Sequence, residues 1–222
     1  MAKSSDPIYE QLKKEIEMLV IEPTTMLREV DVAERFNVSR TPVRDVFVRL
    51  ERDGLLEVVS QKGTYVTKID IDNISEIMYI RKTIEADVLS TLIEKITPDQ
   101  INILKIILMR QKEILSLPSS IEKNNMFYEN DNKFHASMFN FVGKLGVWNE
   151  LNNLSPTYNR YRNVTYLRKI DRLEQLYEFH VQILKAIEEK DKNKALSILN
   201  EHFYSGLSGI EDVYLSHRHF FL

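Results

Sequence analysis

Residues 37–54 have the sequence NVSRTPVRDVFVRLERDG and decide how the N-terminal part of the chain folds. Ser39 is a favourable N-cap, and Pro42 falls in the first turn of the helix that follows, where a missing N–H costs little. Apolar residues then recur at the spacing of one helical face, and Gly54 marks the end of the helix. The apolar positions are Val43, Val46, Phe47 and Leu50. The stretch predicts a short helix with one buried stripe.

Two arginines lie on a face of this helix that the apolar stripe does not use. Arg40 and Arg44 are one turn apart near the N-terminus, at the positive end of the helix dipole. Guanidinium groups in this position suit phosphate oxygens and the O6/N7 edge of guanine. A solvated basic face on an ordinary helix explains the same pattern, so the flanking sequence has to decide between the two interpretations.

The sequence before this helix supplies two further helices. Asp6 and Pro7 are a capping residue and a first helical residue, and an apolar stripe follows them. Residues 29–36 form a second short helix, and Asn37 tolerates the left-handed conformation that a tight turn into the third helix needs. Three helices in this order predict a helix-turn-helix.

The sequence after Gly54 changes from a helical to an extended pattern. Residues 55–59 and 64–67 are strand candidates, and the turn between them contains Lys62 and Gly63. Glycine lets the main chain come close to a phosphate, so the tip of this hairpin is a second candidate contact. A two-stranded wing makes the N-terminal part a winged helix-turn-helix.

Composition limits the classes of function. The formal charge of −3 means that any nucleic-acid surface has to be a local cluster of basic residues. The absence of cysteine excludes disulfides and thiolate catalysis and fits a reducing cytoplasm. No segment has the apolar length of a membrane span or a signal peptide, so we expect a cytoplasmic protein with no membrane partner.

The remainder of the chain, after a predicted linker at residues 68–72, shows only helical periods. The 222 residues are long enough for two modest domains. We therefore expect a mainly α protein with a winged helix-turn-helix domain at 1–70 and an all-helical domain of about six helices at 71–222. The helices are predicted at 72–95, 98–116, 119–142, 146–167, 171–189 and 192–215. Pro156 lies inside the fourth helix and predicts a kink or a split there.

Three of these helices carry possible metal ligands. Asp131 and His135 are four residues apart and so share one helix face. His180 precedes the turn between the last two helices by about ten residues, and His202 follows it by about eleven, so an antiparallel hairpin places both at nearly the same height. Three imidazoles and a carboxylate suit Zn²⁺, Ni²⁺, Mn²⁺ or Fe²⁺. Each histidine, taken singly, is equally explained as a buried side chain satisfied by a neighbour.

Several residues of the first seventy agree at fixed offsets with one known pattern. They are Leu27, Glu29, Val32, Ala33, the run from Val38 to Asp45, Leu50, the run from Asp53 to Leu56, and the run from Gly63 to Val66. This pattern resembles the N-terminal domain of GntR-family bacterial transcription regulators. Asn37 stands where the family usually has glycine, and Val30 stands where some members have a basic residue. The expected DNA-contacting residues are Arg40, Thr41, Arg44, Arg49, Lys62 and Gly63.

The helical part resembles the FCD ligand-binding domain of the FadR-like branch of that family, in its shorter, VanR-like arrangement. Metal-binding members carry Asp-x-x-x-His on one helix and one histidine on each of the last two helices. The resemblance implies that one divalent ion is bound by Asp131, His135, His180 and His202.

Two arginines are candidate contacts for an effector. Arg81 matches an arginine of such domains that clamps a carboxylate, but it is equally explained by an ion pair with Glu85 one turn away. Arg162 is a further cavity-facing candidate. His217 and His219 lie in a C-terminal tail that we expect to be frayed.

These features predict a homodimeric transcription regulator and not an enzyme. Operator DNA is the expected partner of the winged helix, and a small carboxylate metabolite bound at the metal is expected to control it. Two alternatives stay open: a metal-dependent hydrolase with an attached winged helix, and a pure metal-ion sensor. The hydrolase needs a base beside a metal-bound water, and no motif such as H-E-x-x-H supplies one.

Overall fold

The computed structural model describes residues 5–154, 156–166, 172–207 and 210–222, which form helices and one small sheet. The elements of the first part are α1 (Ser5–Glu17), β1 (Met26–Leu27), α2 (Glu29–Phe36), α3 (Arg40–Arg52), β2 (Leu56–Val59) and β3 (Gly63–Val66). The helices that follow are α4 (Ile71–Lys95), α5 (Pro98–Leu115), α6 (Ile121–Phe141), α7 (Leu145–Asn153), α8 (Pro156–Tyr166), α9 (Arg172–Glu188), α10 (Lys192–Leu207), α11 (Ile210–Ser216) and a 3-10 turn at Arg218–Phe220.

The N-terminal elements form the predicted winged helix-turn-helix. The turn between α2 and α3 is made by Asn37 in the left-handed conformation, with φ 51° and ψ 53°. The amide of Val38 then donates to the Ala33 carbonyl at 3.0 Å and closes the end of α2. Ser39 occupies the N-cap position of α3, but its side chain makes no capping hydrogen bond. The apolar residues of α1, α2, α3 and the wing pack into one core.

The wing is a sheet of three strands and not two. Strand β3 lies in the centre and pairs antiparallel with both β1 and β2. Leu56 lies opposite Val66, and Met26 lies opposite Tyr65. The additional strand is only two residues long, which is too short for an alternating pattern to reveal it in the sequence.

The expectation of a frayed C-terminal tail is wrong, because the tail pairs with Ile69 of the predicted linker. Ile69 is fully buried, and its amide donates to the Phe220 carbonyl at 2.7 Å. The Leu222 amide donates in turn to the Ile69 carbonyl at 3.1 Å. Phe220 and Phe221 are buried, so apolar burial holds this end of the chain against the segment that precedes α4.

The mainly α fold is confirmed, and the fourth predicted helix is divided. The fourth becomes α7 and α8, with Pro156 as the first residue of α8, where its ring and missing N–H are tolerated. The last predicted helix contains α10 and α11, and residues 208–209 between them lie outside the described residues. No helix in the described parts of the chain is long and apolar enough to cross a membrane.

The described residues divide into two compact units that are not continuous in sequence. The first contains residues from 5–74, 156–164 and 211–222, and the second contains residues from 75–154 and 165–210. Most of α8 therefore belongs with the winged helix, although it is far from it along the chain. The domain boundary at residue 70 stays a prediction.

Buried polar side chains attach α8 to the first unit. Arg160, 1% exposed, donates to the carbonyl of Thr67 at 2.6 Å and to its Oγ1 at 3.1 Å. Asn163 Nδ2 donates to the Glu17 carbonyl at 2.7 Å. Burial lowers the pKa of Arg160 to about 10. Burial also raises the pKa of the Glu17 carboxyl to about 7, although Asn159 and Arg160 favour its charged form.

We expect Glu17→Gln to raise the melting temperature at about pH 8 and to change it little at about pH 5. The pKa of Glu17 is about 7 in the folded protein against an ordinary value of 4.5. Between these values the folded state binds a proton that the unfolded state does not, so the wild type loses stability as pH rises through this window. Melting curves across this range measure the effect. Glu10→Gln, on the exposed side of α1, is the control, and parallel curves for wild type and Glu17→Gln would contradict the assignment.

Candidate functional site

Three helices of the second unit bring three histidines together. His135 lies on α6, His180 on α9 and His202 on α10, and all three side chains are buried. Potential ligand nitrogens of the three rings lie within 4.8 Å of one another. Among the described residues this is the one group of histidine and acidic side chains with metal-binding spacing.

The short connection between α9 and α10 explains why two of these rings meet. Helix α9 ends at Glu188, α10 begins at Lys192, and Lys190 turns the chain with a φ of 54°. The ring centroids of His180 and His202 lie 5.0 Å apart. The equal heights expected from their distances to the turn are therefore observed.

Asp131, the fourth predicted ligand, lies beside His180 but is not a member of the group of three histidines. Its side chain is buried, and Oδ1 lies 3.5 Å from His180 Nε2. Two ligands of one tetrahedral ion with bonds of about 2.0–2.1 Å lie about 3.3 Å apart, so this separation fits shared coordination.

The surroundings of the His202 ring favour its neutral form. Burial, together with the neighbouring His180 and His135, holds the pKa of His202 well below its usual value. The ring is therefore neutral at neutral pH, which is the form that binds a metal. Its buried Nδ1 has no hydrogen-bond partner in the described parts of the chain. An orphaned ring nitrogen beside two further imidazoles and a carboxylate fits a divalent ion.

Two charged side chains of α4, Arg81 and Glu85, pair with each other, and Glu85 lies next to His135. Glu85 Oε2 lies 2.7 Å from His135 Nδ1, and Glu85 Oε1 accepts hydrogen bonds from Arg81 Nη2 at 2.8 Å and Nε at 3.0 Å. The Arg81 guanidinium lies 5.2 Å from the Trp148 ring centroid. Burial raises the pKa of a carboxyl, but Arg81 and His135 outweigh it and hold the pKa of Glu85 below its usual value. Of the two interpretations of Arg81, the pair with Glu85 is observed, and it is buried.

Gln111 is a contact of the site that the sequence analysis missed. Its side chain is fully buried, and Oε1 lies 3.0 Å from His180 Nδ1. The signal was present, because Gln111 is the polar member of a buried stripe on α5. The other members are Leu104, Leu108 and Ile114.

Arg40 and Arg44 are exposed and share one carboxylate. Their side chains are 61% and 67% exposed. Arg40 Nη2 lies 2.9 Å from Glu29 Oε2, and Arg44 Nε lies 3.3 Å from Glu29 Oε1. Hydrogen bonds from both guanidinium groups hold the pKa of Glu29 below its usual value. Such solvent-exposed pairs contribute little stability, so a phosphate or a base edge can replace the carboxylate.

The other predicted DNA contacts lie in different surroundings. Thr41 and Lys62 are exposed, and Gly63 has a φ of 137°, which favours glycine. Arg49 follows Arg40 by nine residues, about two and a half turns, and therefore lies on the opposite side of α3. It pairs with Asp6 at 2.7 Å, beside the Tyr9 ring.

Arg162 is not brought to the histidine cluster by any described contact. It lies on the part of α8 that belongs to the first unit, with its guanidinium 5.8 Å from the Tyr158 ring centroid. The histidines belong to the second unit. A role for Arg162 toward an effector stays a prediction.

Comparisons with known proteins match one family model to the N-terminal part of the chain and another to the helical part. Residues 4–66 match the model of bacterial regulatory proteins of the gntR family, and residues 76–205 match the FCD domain. The HTH-type transcriptional repressor RspR of Escherichia coli K12 is 30% identical over 197 residues, which cover 88% of this chain and 83% of that protein. The chain belongs to the GntR family.

Two solved structures have a similar fold, and a second relative is similar in sequence. Escherichia coli McbR/YncC superposes with a TM-score of 0.75 at 20% identity, covering 98% of this chain and 100% of that one. A putative GntR regulator from Rhodococcus gives a TM-score of 0.76 at 17% identity, with coverage of 95% and 98%. The gluconate operon transcriptional repressor of Bacillus subtilis is 24% identical over 94% of this chain and 85% of that protein. This GntR-family protein is a DNA-binding transcription regulator with an FCD domain.

Proposed function

We propose that this GntR-family protein is a cytoplasmic homodimer whose binding to operator DNA is controlled by a small organic acid. The acid is held at a divalent ion in the second unit. The observation that carries the proposal is the buried convergence of three imidazoles from helices distant in sequence, with the Asp131 carboxylate beside His180. Burying such polar groups together costs free energy unless a bound partner compensates for their lost hydration. Packing of a helical core alone therefore does not explain why they meet.

The organic acid would be bound through the ion that these ligands hold. Asp131, His135, His180 and His202 would hold the ion, and a bound divalent ion supplies a Lewis-acidic position for a carboxylate oxygen. A clamp by Arg81 would have to use the edge of the guanidinium that does not face Glu85. Relatives of this chain include a repressor named for the gluconate operon, so sugar acids are the first compounds to test.

The hydrolase alternative is less favoured by the surroundings of the site. Glu178 and Glu201 are close to the histidines in sequence, but both are exposed at the surface. Glu85 is engaged by Arg81 and His135. A regulator needs only binding at this centre, whereas hydrolysis needs a base placed on a metal-bound water.

Arg44→Ala should weaken operator binding by about 1–3 kcal/mol and relax base preference at one operator position. Lys62→Ala, at the wing, should weaken binding to all sequences alike and reduce the salt slope by about one unit. Affinities for operator and scrambled DNA across a salt series separate the two effects.

Arg52→Ala is the matched control, because Arg52 is an exposed arginine at the other end of α3. It should change operator affinity much less than Arg44→Ala. Unchanged operator affinity in the double variant Arg40→Ala/Arg44→Ala would contradict the assignment of α3 as the recognition helix.

The protein should be a dimer in solution. One winged helix contacts too few bases to select an operator in a genome, and two-fold protein symmetry matches a two-fold operator. Light scattering at micromolar concentration should give twice the chain mass of 26.2 kDa. A monomeric mass under these conditions would contradict the dimer.

Removing the metal should lower the melting temperature. An ion that binds only the folded state at about 100 times its Kd stabilises by about 2.7 kcal/mol, which corresponds to about 5–10 °C for a chain of this size. Elemental analysis and thermal melting before and after chelation measure both quantities. Sugar acids should raise the melting temperature further only in the metal-loaded protein, since effector and metal binding are coupled reciprocally.

His135→Ala/His180→Ala should lose the metal and the effector response while the winged helix still binds operator. His219→Ala is the control, because His219 is exposed and lies outside the cluster. Equal metal content in the wild type and the double variant would end the metal assignment, and the histidines would be core residues only.

A further inference from the structure

We propose that Glu29 is a positioning residue for DNA recognition: its carboxylate holds Arg40 and Arg44 by one side and disfavours their binding to backbone phosphates outside an operator. The inference deepens the proposed function, because it rests on the assignment of α3 as the recognition helix. It gives an acidic residue of a different helix, α2, a part in selecting the DNA sequence.

Glu29 is the anchored member of the group. It is the first residue of α2, and Val32 and Ala33 of that helix are buried in the core of the first unit. The Glu29 side chain is 24% exposed, much less than those of the two arginines. A free arginine side chain has many rotamers, and a fixed carboxylate beside it reduces their number. Glu29 therefore limits where the two guanidinium groups lie before DNA arrives.

The carboxylate faces one particular edge of the Arg44 guanidinium. Arg44 Nε lies 3.3 Å from Glu29 Oε1, and Arg44 Nη2 lies 3.5 Å from Glu29 Oε2. The guanidinium has five N–H donors in a planar fork, so its terminal edge still offers an N–H from Nη1 and another from Nη2. No described contact of Arg44 uses Nη1. The O6 and N7 atoms of guanine accept two such N–H groups, so Arg44 can bind a base without losing Glu29.

Arg40 is held by the same carboxylate. Its Nη2 donates to Glu29 Oε2 at 2.9 Å, so Oε2 faces both guanidinium groups. Hydrogen bonds from Arg40 and from Arg44 lower the pKa of Glu29, so this carboxyl is charged at neutral pH. One negative charge therefore offsets one of the two positive charges at the N-terminal end of α3.

This offset affects phosphates and bases differently. Phosphates are present at every step of a duplex and carry the same sign of charge as Glu29. A phosphate that binds the Nε edge of Arg44 has to displace the carboxylate and then lies close to its negative charge. A base edge at the terminal nitrogens avoids both costs. Glu29 thus weakens binding to all sequences more than binding to the operator, and selection depends on that ratio.

The first test replaces the carboxylate by an amide in the full-length protein. The wild type first selects its operator from a random duplex library, and affinities are then measured for that duplex and a scrambled one across a salt series. Glu29→Gln should bind the scrambled duplex about 3–10-fold more tightly near 0.1 M salt, with a salt slope steeper by about 0.9, because a released arginine takes one more phosphate. The ratio of operator to scrambled affinity should fall about tenfold. An unchanged ratio would overturn the proposal.

The second variant separates the charge from the geometry. Glu29→Asp keeps the negative charge but is one methylene shorter, so it cannot face both arginines in the same way. It should keep the wild-type salt slope on scrambled DNA and relax base preference at the operator position that Arg44→Ala also relaxes. If Glu29→Gln fails to fold, this variant decides the matter. Wild-type base preference in Glu29→Asp would overturn the positioning role.

Asp31→Asn is the matched control for the loss of one negative charge on α2. Asp31 is exposed and follows Glu29 by two residues, about 200° around the helix. It should leave the affinity ratio and the base preference unchanged. Equal effects of Asp31→Asn and Glu29→Gln would mean that general charge is responsible and would refute the specific role of Glu29.

A double variant shows whether Glu29 acts through Arg44. Two residues that act as one unit are not additive. Adding Glu29→Gln to Arg44→Ala should therefore relax the preference at the Arg44 position no further than Arg44→Ala alone. A further loss of preference, or a loss at a different base position with unchanged scrambled affinity, would show that Glu29 reads a base itself and would contradict the proposal.

The two levels of inference fail in different ways. Unchanged operator affinity in Arg40→Ala/Arg44→Ala refutes the recognition helix and the role of Glu29 with it. Weakened operator binding in that variant, with wild-type selectivity in both Glu29 variants, keeps the recognition helix and refutes the role of Glu29 alone.

Discussion

The structure of the second unit depends on how ionisable groups are kept inside a helical core. His135, His180 and Glu85 are almost completely buried, and the desolvation of such groups disfavours folding unless each finds a partner. Arg81 pairs with Glu85, Glu85 Oε2 lies 2.7 Å from His135 Nδ1, and Gln111 Oε1 lies 3.0 Å from His180 Nδ1. On the inner side of the cluster, ring nitrogens of the three histidines lie within 4.8 Å of one another, and Asp131 Oδ1 lies 3.5 Å from His180 Nε2. A divalent cation is the chemical partner that this arrangement favours.

Local rules account for the parts of the molecule that the sequence predicts well. Asn37 turns in the left-handed conformation because its short polar side chain tolerates it, and α2 and α3 therefore follow from a few neighbouring residues. The meeting of His180 and His202 follows from helix rise and a short connection alone. In both cases the information lies within one turn or one hairpin, so periodicity and turn chemistry are sufficient.

Contacts between residues far apart in sequence account for what the sequence does not predict. Gln111 meets His180 across 69 residues, and Arg160 meets Thr67 across 93. No periodicity encodes such pairs, because each helix pattern defines a buried face but not the helix that covers it. The C-terminal tail illustrates this: its two phenylalanines are ordinary in the sequence, yet they are buried where Ile69 pairs with the tail.

Solvent exposure distinguishes the surroundings of three arginines. Arg44 has a carboxylate neighbour in water, where an ion pair contributes little and exchanges readily. Arg81 has a carboxylate neighbour in the core, where breaking the pair would leave an uncompensated buried charge. Arg160 is buried against main-chain carbonyls, and burial lowers its pKa to about 10. The solvent around each guanidinium therefore decides whether its ion pair exchanges readily, is fixed in the core, or is replaced by contacts with main-chain carbonyls.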